Sequence, residues 1–411
     1  MKILFIVTDY YSANGICAKE VMNCLASHGH EVHCLSNCRD LSFSNSSSIF
    51  YHYVKPRFYY RVINSIKPDN IFKKVFLLFI RFLNSLKMLL MYPFLPLISP
   101  RYVRRVFQTA KSICTNSNVD VIIPVYSTID TVIAATNLKK ENGKLLLVPY
   151  FLDSLSGGFP SRILGEKRTM KRGFSFEDKL LPFADLIIMM KSSKAHYEKY
   201  ASNKTYYTKI VFLDLPLFDA KTGLNEGRNK KDDALTITFV GSMPTFRSPK
   251  FFVSIFKRIK DDNIRLLFVG DSRYDAFLKK SSIEDNRIVV IEKVDHDTAL
   301  EYVSKSTFLL NLGNTIANMT PSKIFEYISS CKPIISTAPI KNEPSIPYLN
   351  IYPFSLILYE TDSLERNVEK LSSFISEMQT AIIKPETFKN FFYLNSPEAF
   401  YNALFEKGIV S

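Results

Sequence analysis

The sequence predicts an α/β protein of two halves, each wound around a parallel sheet, on three observations. A chain of 411 residues is too long for one ordinary core; at roughly 150 residues per domain it divides into two or three units. Its first residues run apolar strand, small-residue loop, helix, strand, the βαβ order that a parallel sheet requires. After residues 219–234, where apolar periodicity stops and Gly, Asn and charges gather, the same alternation starts again.

Taken in order, residues 3–7 are an apolar strand. The run ends at Asp9, shorter than the apolar core of a signal peptide and with no small-residue cleavage site, so it reads as a buried strand and nothing directs export. Residues 8–15 are small and polar and read as a loop carrying Asn14 and Gly15. A helix follows over 18–27, and Gly29-His30-Glu31-Val32 opens the next strand. Short apolar runs at 120–126, 144–150 and 184–189 have the form of buried parallel strands. The second half reads as strands at 235–240, 264–269, 288–291 and 308–312, with helices at 249–260 and 298–304. The expected domains are 1–218, a linker over 219–234, a second domain over 235–390, and a terminal helix in 391–411 returning to the first domain. Parallel sheets bind ligands at the carboxyl ends of their strands. Gly15 with Asn14, and Asp153 after the strand ending at Tyr150, are therefore candidate cleft residues, with turn chemistry as their alternative reading.

Composition excludes several classes. With 46% apolar and 22% charged residues the chain is neither disordered nor a bundle of membrane spans. Six thinly scattered cysteines do not make a disulfide framework and suit a reducing cytosol. His28, His30, His33, Cys34 and Cys38 resemble a metal cluster only on paper, because alternate strand residues face opposite ways and no paired CxxC spacing accompanies them. The net charge of +14 carries no RNA- or DNA-binding signature, so no nucleic-acid partner is expected.

That charge is uneven, with twelve basic residues and one acid, Asp69, within 55–111. On a helical wheel over 71–91, Lys73, Lys74, Arg81, Asn84, Ser85 and Lys87 fall in an arc of about 160°, and apolar side chains fill the rest. Charge interrupts this helix too often for it to span a bilayer. It is expected to lie on the anionic inner face of the cell membrane, near a lipid-linked acceptor; the alternative is a helix covering the first domain's core with its lysines in water.

The motifs that carry chemistry lie in the second half. Phe239-Val240-Gly241-Ser242-Met243 is followed by Arg247, a strand and loop occupy 288–294, and Pro321-Ser322-Lys323-Ile324-Phe325-Glu326-Tyr327 precedes Lys332-Pro333 and an apolar strand. Thr320 is a plausible N-cap and Pro321 suits the first helical position, which would aim free N–H groups and the positive end of a helix dipole at an anion. Lys323, Glu326 and Tyr327 share one face by spacing, with Ile324, Phe325 and Ile328 on the buried side. Glu326 offers two acceptor oxygens to a ribose diol; its alternative is a surface Lys–Glu pair worth a few tenths of a kcal/mol. Arg247 offers a fork of donors beyond Gly241, where backbone approaches a phosphate closely, and Lys250 is a second basic candidate or a solvated helix-start lysine.

These segments resemble the retaining GT-B glycosyltransferases of the large family four. The resemblance covers about 100 residues of the second half, and the first half only through its strand, small-residue loop and Gly-His-Glu-Val. It implies a GT-B fold, two Rossmann-like domains with parallel sheets facing a central cleft. It further implies transfer of a sugar from a nucleoside-diphosphate sugar of UDP or GDP type to a glycan or polyprenyl-linked acceptor. No metal or other cofactor is expected, and the setting implied is surface polysaccharide synthesis. Arg247 is the implied diphosphate ligand, and backbone groups of Lys293 and Val294 are implied to read the base.

Two departures stand out. The family's pair of glutamates eight residues apart would place the first at 318, where this chain has Asn318, able to hydrogen-bond a sugar hydroxyl but uncharged. Cys331 stands where the family generally has glycine, at a cost of about 1 kcal/mol if its φ is positive. Asp295-His296-Asp297 looks like a metal-binding Asp-x-Asp, yet both aspartates precede a helix that they would cap. Two further readings share the architecture: a sugar-nucleotide 2-epimerase, which needs cleft carboxylates and histidines that this chain scarcely offers, and a catalytically silent GT-B scaffold.

Overall fold

A computed structural model describes residues 1–39, 48–66, 71–91, 96–157, 166–218, 234–316 and 321–406. The expected linker, Ala234 apart, lies outside these residues. The chain forms two compact units, Met1–Pro216 with Ser396–Ser411, and Leu217–Asn395.

The first unit begins with β1 (Lys2–Val7), α1 (Ala13–Ser27), β2 (Glu31–Ser36) and β3 (Ile49–Tyr53). Three helices follow, α2 (Phe58–Ser65), α3 (Ile71–Met91) and α4 (Pro100–Ser117), and then β4 (Val121–Pro124) and α5 (Ile129–Glu141). The five-stranded sheet has the order β3-β2-β1-β4-β5, all parallel, with β5 at Leu146–Leu147. The run at 144–150 is split because Pro149 has no N–H to donate to a ladder. Beyond it β6 (Tyr150–Phe151) starts a three-stranded parallel sheet with β7 (Ile187–Met190) and β8 (Ile210–Leu213); α6 (Glu166–Leu180) precedes β7, and α7 (Lys194–Tyr200) follows it. A parallel bridge between Val125 and Tyr150 links the two sheets.

Helix α1 starts five residues earlier than expected. Ser12 caps it by accepting from the Gly15 N–H at 3.2 Å, so Asn14 and Gly15 belong to its first turn and not to a loop. Gly15 is required there, since a Cβ would stand 2.2 Å from the Tyr10 carbonyl oxygen and 2.3 Å from that of Asp9. One core forms against the five-stranded sheet around Leu4, Ile6, Val106 and Ile122, the other against the three-stranded sheet around Phe151, Ile187, Tyr197 and Tyr206. Each such large apolar side chain contributes roughly 1.5–3 kcal/mol on burial.

His33, His30 and Cys34, which resemble part of a metal cluster only on paper, have these surroundings. His33 Nδ1 lies 2.9 Å from His52 Nε2, and His33 Nε2 lies 2.9 Å from Glu31. His30 stacks on Phe405, and Cys34 is buried, with its thiol pKa pushed up by desolvation.

Helix α3 departs furthest from a covering helix. Its buried residue Leu77 lies within the polar arc, whereas Phe72, Val75, Phe76, Leu78, Phe79, Phe82, Leu83 and Leu86 are all exposed. Among the described side chains, the reading of α3 as a lid with its apolar side on the core is overturned: their apolar arc faces outward.

The second unit opens with β9 (Leu235–Val240), α8 (Lys250–Phe256), β10 (Ile264–Val269), α9 (Asp275–Glu284), β11 (Ile288–Ile291), α10 (His296–Lys305) and β12 (Phe308–Leu312). It continues through α11 (Lys323–Ser329), β13 (Ile334–Ala338), α12 (Ile346–Ile351), β14 (Ser355–Tyr359) and α13 (Leu364–Met378). Its six strands run parallel in the order β11-β10-β9-β12-β13-β14, reversing direction of growth at β9. Four expected strands coincide with β9, β10, β11 and β12, because continuous apolar runs are what a sheet covered on both faces demands. The core gathers Ile237, Phe252, Phe256, Leu266, Phe268 and Phe308. Helix α14 (Pro397–Glu406) belongs to the first unit and packs on α1, with Tyr401 stacked on His28 at 4.0 Å between ring centroids.

Candidate functional site

In the second unit, Gly241 and Arg247 follow the carboxyl end of β9, where the direction of sheet growth reverses, the position at which open parallel sheets leave a crevice. The loop from Gly241 to Pro249 is pinned at several points. Gly241 N–H donates to Val269 at 2.9 Å, and Met243 N–H to Asp271 at 2.9 Å. The Tyr274 hydroxyl donates to the Thr245 carbonyl at 2.7 Å, and Thr315 N–H to that of Phe246 at 3.0 Å. Gly270, at φ +138°, lets the neighbouring loop pass against this one, for a Cβ there would meet the Gly241 carbonyl oxygen at 2.0 Å. Gly241 itself has φ +148°, which a side chain rarely adopts.

This scaffold presents Arg247. Its Nη1 donates to the Ser242 carbonyl at a long 3.4 Å, while its Nε is buried without a hydrogen-bond partner among the described residues. Desolvation lowers the guanidinium pKa, an effect opposed by nearby Tyr327 and Glu343; with an ordinary value of 12.5 the group stays charged. A desolvated cation with an unused donor is an anion receptor in waiting.

Glu343 is the nearby acid that the sequence reading missed. It is 1% exposed. It accepts from the Ser345 N–H at 2.8 Å and from the Ser345 hydroxyl at 3.3 Å; the Asn314 N–H, at 3.4 Å, is a weaker donor. Burial raises its pKa, against the effect of those hydrogen bonds and of Arg247. Its only sequence signal is an acid in the connection after an apolar strand, which is too common to single out.

Tyr327 also corrects the reading of the helix. It does not join Lys323 and Glu326 on an open face but is fully buried, its hydroxyl accepting from the Val240 N–H at 2.9 Å and donating to the Val240 carbonyl at 3.2 Å. That bond ties α11 to the end of β9. Helix α11 starts at Lys323, two residues later than expected, so Pro321 is not its first residue. Ile324 N–H donates to Pro321 and Phe325 N–H to Ser322, both at 3.2 Å, the three-residue spacing of a tightened first turn. Ser322 is half-buried, has helical dihedrals and makes no side-chain cap. Thr320 and Asn318 lie outside the described residues. With only seven residues, α11 contributes less through its dipole than the sequence reading implied.

Lys323 Nζ and Glu326 Oε2 stand 2.7 Å apart, a half-buried pair on one turn. Lys250 is exposed at the start of α8, its ammonium 5.9 Å from the Tyr274 ring centroid and 5.8 Å from that of Phe277. Lys293 is exposed and Val294 half-buried in the loop after β11. Asp295 caps α10, accepting from the Thr298 N–H at 2.9 Å and its hydroxyl at 2.7 Å, which holds its pKa below the ordinary range. Cys331, after α11, has φ +53°, the left-handed conformation foreseen for a glycine position.

In the first unit, Asn14 Nδ2 donates to the Tyr126 carbonyl at 3.0 Å. Asp153 is exposed after β6, yet crowding around its carboxyl raises its pKa. One set of ligand atoms there has metal-like proximity among the described residues, that of Cys24, His28 and Glu398. It is explained without an ion: His28 Nδ1 bonds the Cys24 carbonyl at 2.9 Å, and its Nε2 stands 3.5 Å from Glu398.

No protein-family model matches the chain, and no curated protein matches it. Solved structures do. A glycosyltransferase from Rickettsia africae is 14% identical with a TM-score of 0.64, over 99% of this chain and 98% of that one. Anabaena Alr3699/HepE in complex with UDP is 12% identical with a TM-score of 0.61, over 99% of each chain. The lipopolysaccharide outer core galactosyltransferase WaaB is 15% identical with a TM-score of 0.56, over 99% of this chain and all of that one. At such identities the likeness is one of fold, and the fold is GT-B, with two α/β domains built on parallel sheets.

Proposed function

We propose that the chain is a glycosyltransferase that moves a hexosyl group from a nucleoside-diphosphate sugar, of UDP or GDP type, to a glycan or lipid-linked glycan. The reaction is retaining and metal-independent. The observation that carries this reading is Arg247, a desolvated guanidinium whose Nε has no hydrogen-bond partner among the described residues, held at the carboxyl end of β9. An anionic diphosphate is the ligand whose chemistry answers it.

The reaction breaks the bond from the anomeric carbon to the diphosphate oxygen, which leaves with the electron pair. The acceptor hydroxyl oxygen bonds that carbon from the same face, and its proton passes to the leaving phosphate. Arg247, with Lys323 nearby in sequence to the helix start, stabilises the charge that grows on the leaving group. Glu326 turns from Lys323 to the ribose diol when the nucleotide binds, backbone groups at Lys293 and Val294 meet the base, and Asn318 hydrogen-bonds the donor sugar. Asp153 and Gly15 serve the acceptor side.

The test is a panel of UDP- and GDP-sugars scored by thermal shift and by donor hydrolysis, with and without EDTA. Stabilisation and turnover by one donor class, persisting in chelator, is the expected result. Turnover restored only by manganese refutes metal independence, interconversion of the sugar without release of nucleotide identifies an epimerase, and binding without turnover identifies a silent scaffold.

A further inference from the structure

Helix α3 is built the wrong way round for a soluble protein. At 100° per residue its exposed apolar side chains, Phe72, Val75, Phe76, Leu78, Phe79, Phe82, Leu83 and Leu86, cover one arc of about 160°. Phe72 is 82% exposed and Leu78 63%, while Leu77, buried at 7%, lies on the opposite, polar side. Phe72, Val75, Phe76 and Phe79 line a shallow apolar groove on this outer face. Helix α2, which touches α3, adds exposed Phe58 and Tyr60. A contiguous apolar face of this size in water marks an interaction surface.

Its charges indicate the partner. Lys73, Arg81 and Lys87 are exposed, and on the helix they border the apolar arc from both sides. No acid accompanies them in α3, and the whole of 55–111 holds only Asp69 against twelve basic residues. Apolar rings flanked by long basic side chains suit an interface in which acyl chains meet phosphate headgroups, with the ammonium and guanidinium groups reaching outward to the headgroups. A second protein surface would need a matching acidic rim. No described helix is long and apolar enough to cross a membrane, and a helix that docks through one apolar face lies along the interface.

We infer that α3 docks the protein on an anionic lipid surface, its phenylalanines inserted shallowly and Lys73, Arg81 and Lys87 at the headgroups. The inference does not rest on the donor-site reading, and its measurement requires no sugar nucleotide.

The experiment is co-sedimentation of the full chain with phosphatidylcholine vesicles, with and without phosphatidylglycerol. The parent protein is expected to sediment far more with the anionic vesicles than with the neutral ones, and more weakly as salt rises but not to zero, because apolar insertion is not screened. Lys73→Glu with Arg81→Glu and Lys87→Glu should lower vesicle affinity at least about a hundredfold, taking roughly fivefold per removed cation near the surface. Phe72→Ser with Phe76→Ser and Phe79→Ser should abolish the salt-resistant part. All six side chains are exposed, so both variants should keep the parent's melting temperature and circular dichroism. A parent that stays in solution with anionic vesicles, or variants that bind as it does, overturns the inference. So does a parent dimer that the serine variant dissociates while vesicles bind neither, which would make the occupant a second copy of this chain.

Discussion

Replacing Arg247 by alanine separates a group that serves a transition state from one that merely anchors a ligand. Among the described residues its Nε has no partner and its Nη1 only a 3.4 Å contact, so few of their hydrogen bonds are lost with it. Glu343 loses a neighbouring cation but keeps its bonds from Ser345 and Asn314, and the loop keeps its backbone ties to β10 and Thr315. The fold should therefore survive, with a melting temperature within a few degrees of the parent. The diphosphate carries charge before the reaction and gains more as the glycosidic bond breaks. Losing one charge-assisted bond to the bound donor costs about tenfold in affinity, near the low end of 1.5–3 kcal/mol. Losing a pre-aimed donor in the transition state costs about 10² to 10³ in kcat, or roughly 2.7–4 kcal/mol. Donor affinity by calorimetry and turnover under saturating donor measure the two effects separately. Arg247→Lys keeps the charge without the planar fork and should recover part of kcat. Equal losses in affinity and turnover, or no loss in either, would refute transition-state stabilisation by Arg247.

Glu326→Ala should weaken nucleoside-diphosphate binding by about tenfold while costing only a few tenths of a kcal/mol in stability, the worth of its pair with Lys323; unchanged nucleotide affinity in a binding titration removes Glu326 from the site. In the first unit, Glu177 is fully buried, accepting from Ser156 N–H at 2.9 Å and the Tyr197 hydroxyl at 2.8 Å, and desolvation raises its pKa above 4.5. The folded state therefore holds its proton to higher pH than the unfolded state, so this group's contribution falls as pH rises from 4.5 through the raised value. Glu177→Gln does not titrate, and urea unfolding should show its deficit against the parent narrowing over that window; a deficit that widens contradicts the sign. At Cys331, φ +53° penalises any Cβ, so Cys331→Gly should be more stable than Cys331→Ala by about 1 kcal/mol, a reversal of the order expected at ordinary φ that denaturant titration of the pair would detect.

The α/β class and much of the second unit's strand pattern were legible in the amino-acid sequence. Parallel strands buried on both faces are written as continuous apolar runs, and β9, β10, β11 and β12 fall where those runs fall. The placement of Arg247 after a glycine-ended strand was legible for the same local reason. Helix ends were less so: the small residues 8–15 suggested a loop, whereas Ser12 caps a helix that needs Gly15 for clearance from the Tyr10 carbonyl. Periodicity told which residues of 323–328 share a face, but not that Tyr327 would be drawn inward to bond Val240, eighty-seven residues away. Glu343 was invisible because its meaning depends on burial beside Arg247, and burial is decided by chain segments distant in sequence. Helix α3 makes the same distinction most sharply. Its amphipathic pattern was plain in the order of its residues, but a pattern defines two faces without saying which is covered, and only the packing of the first unit leaves the apolar one in water.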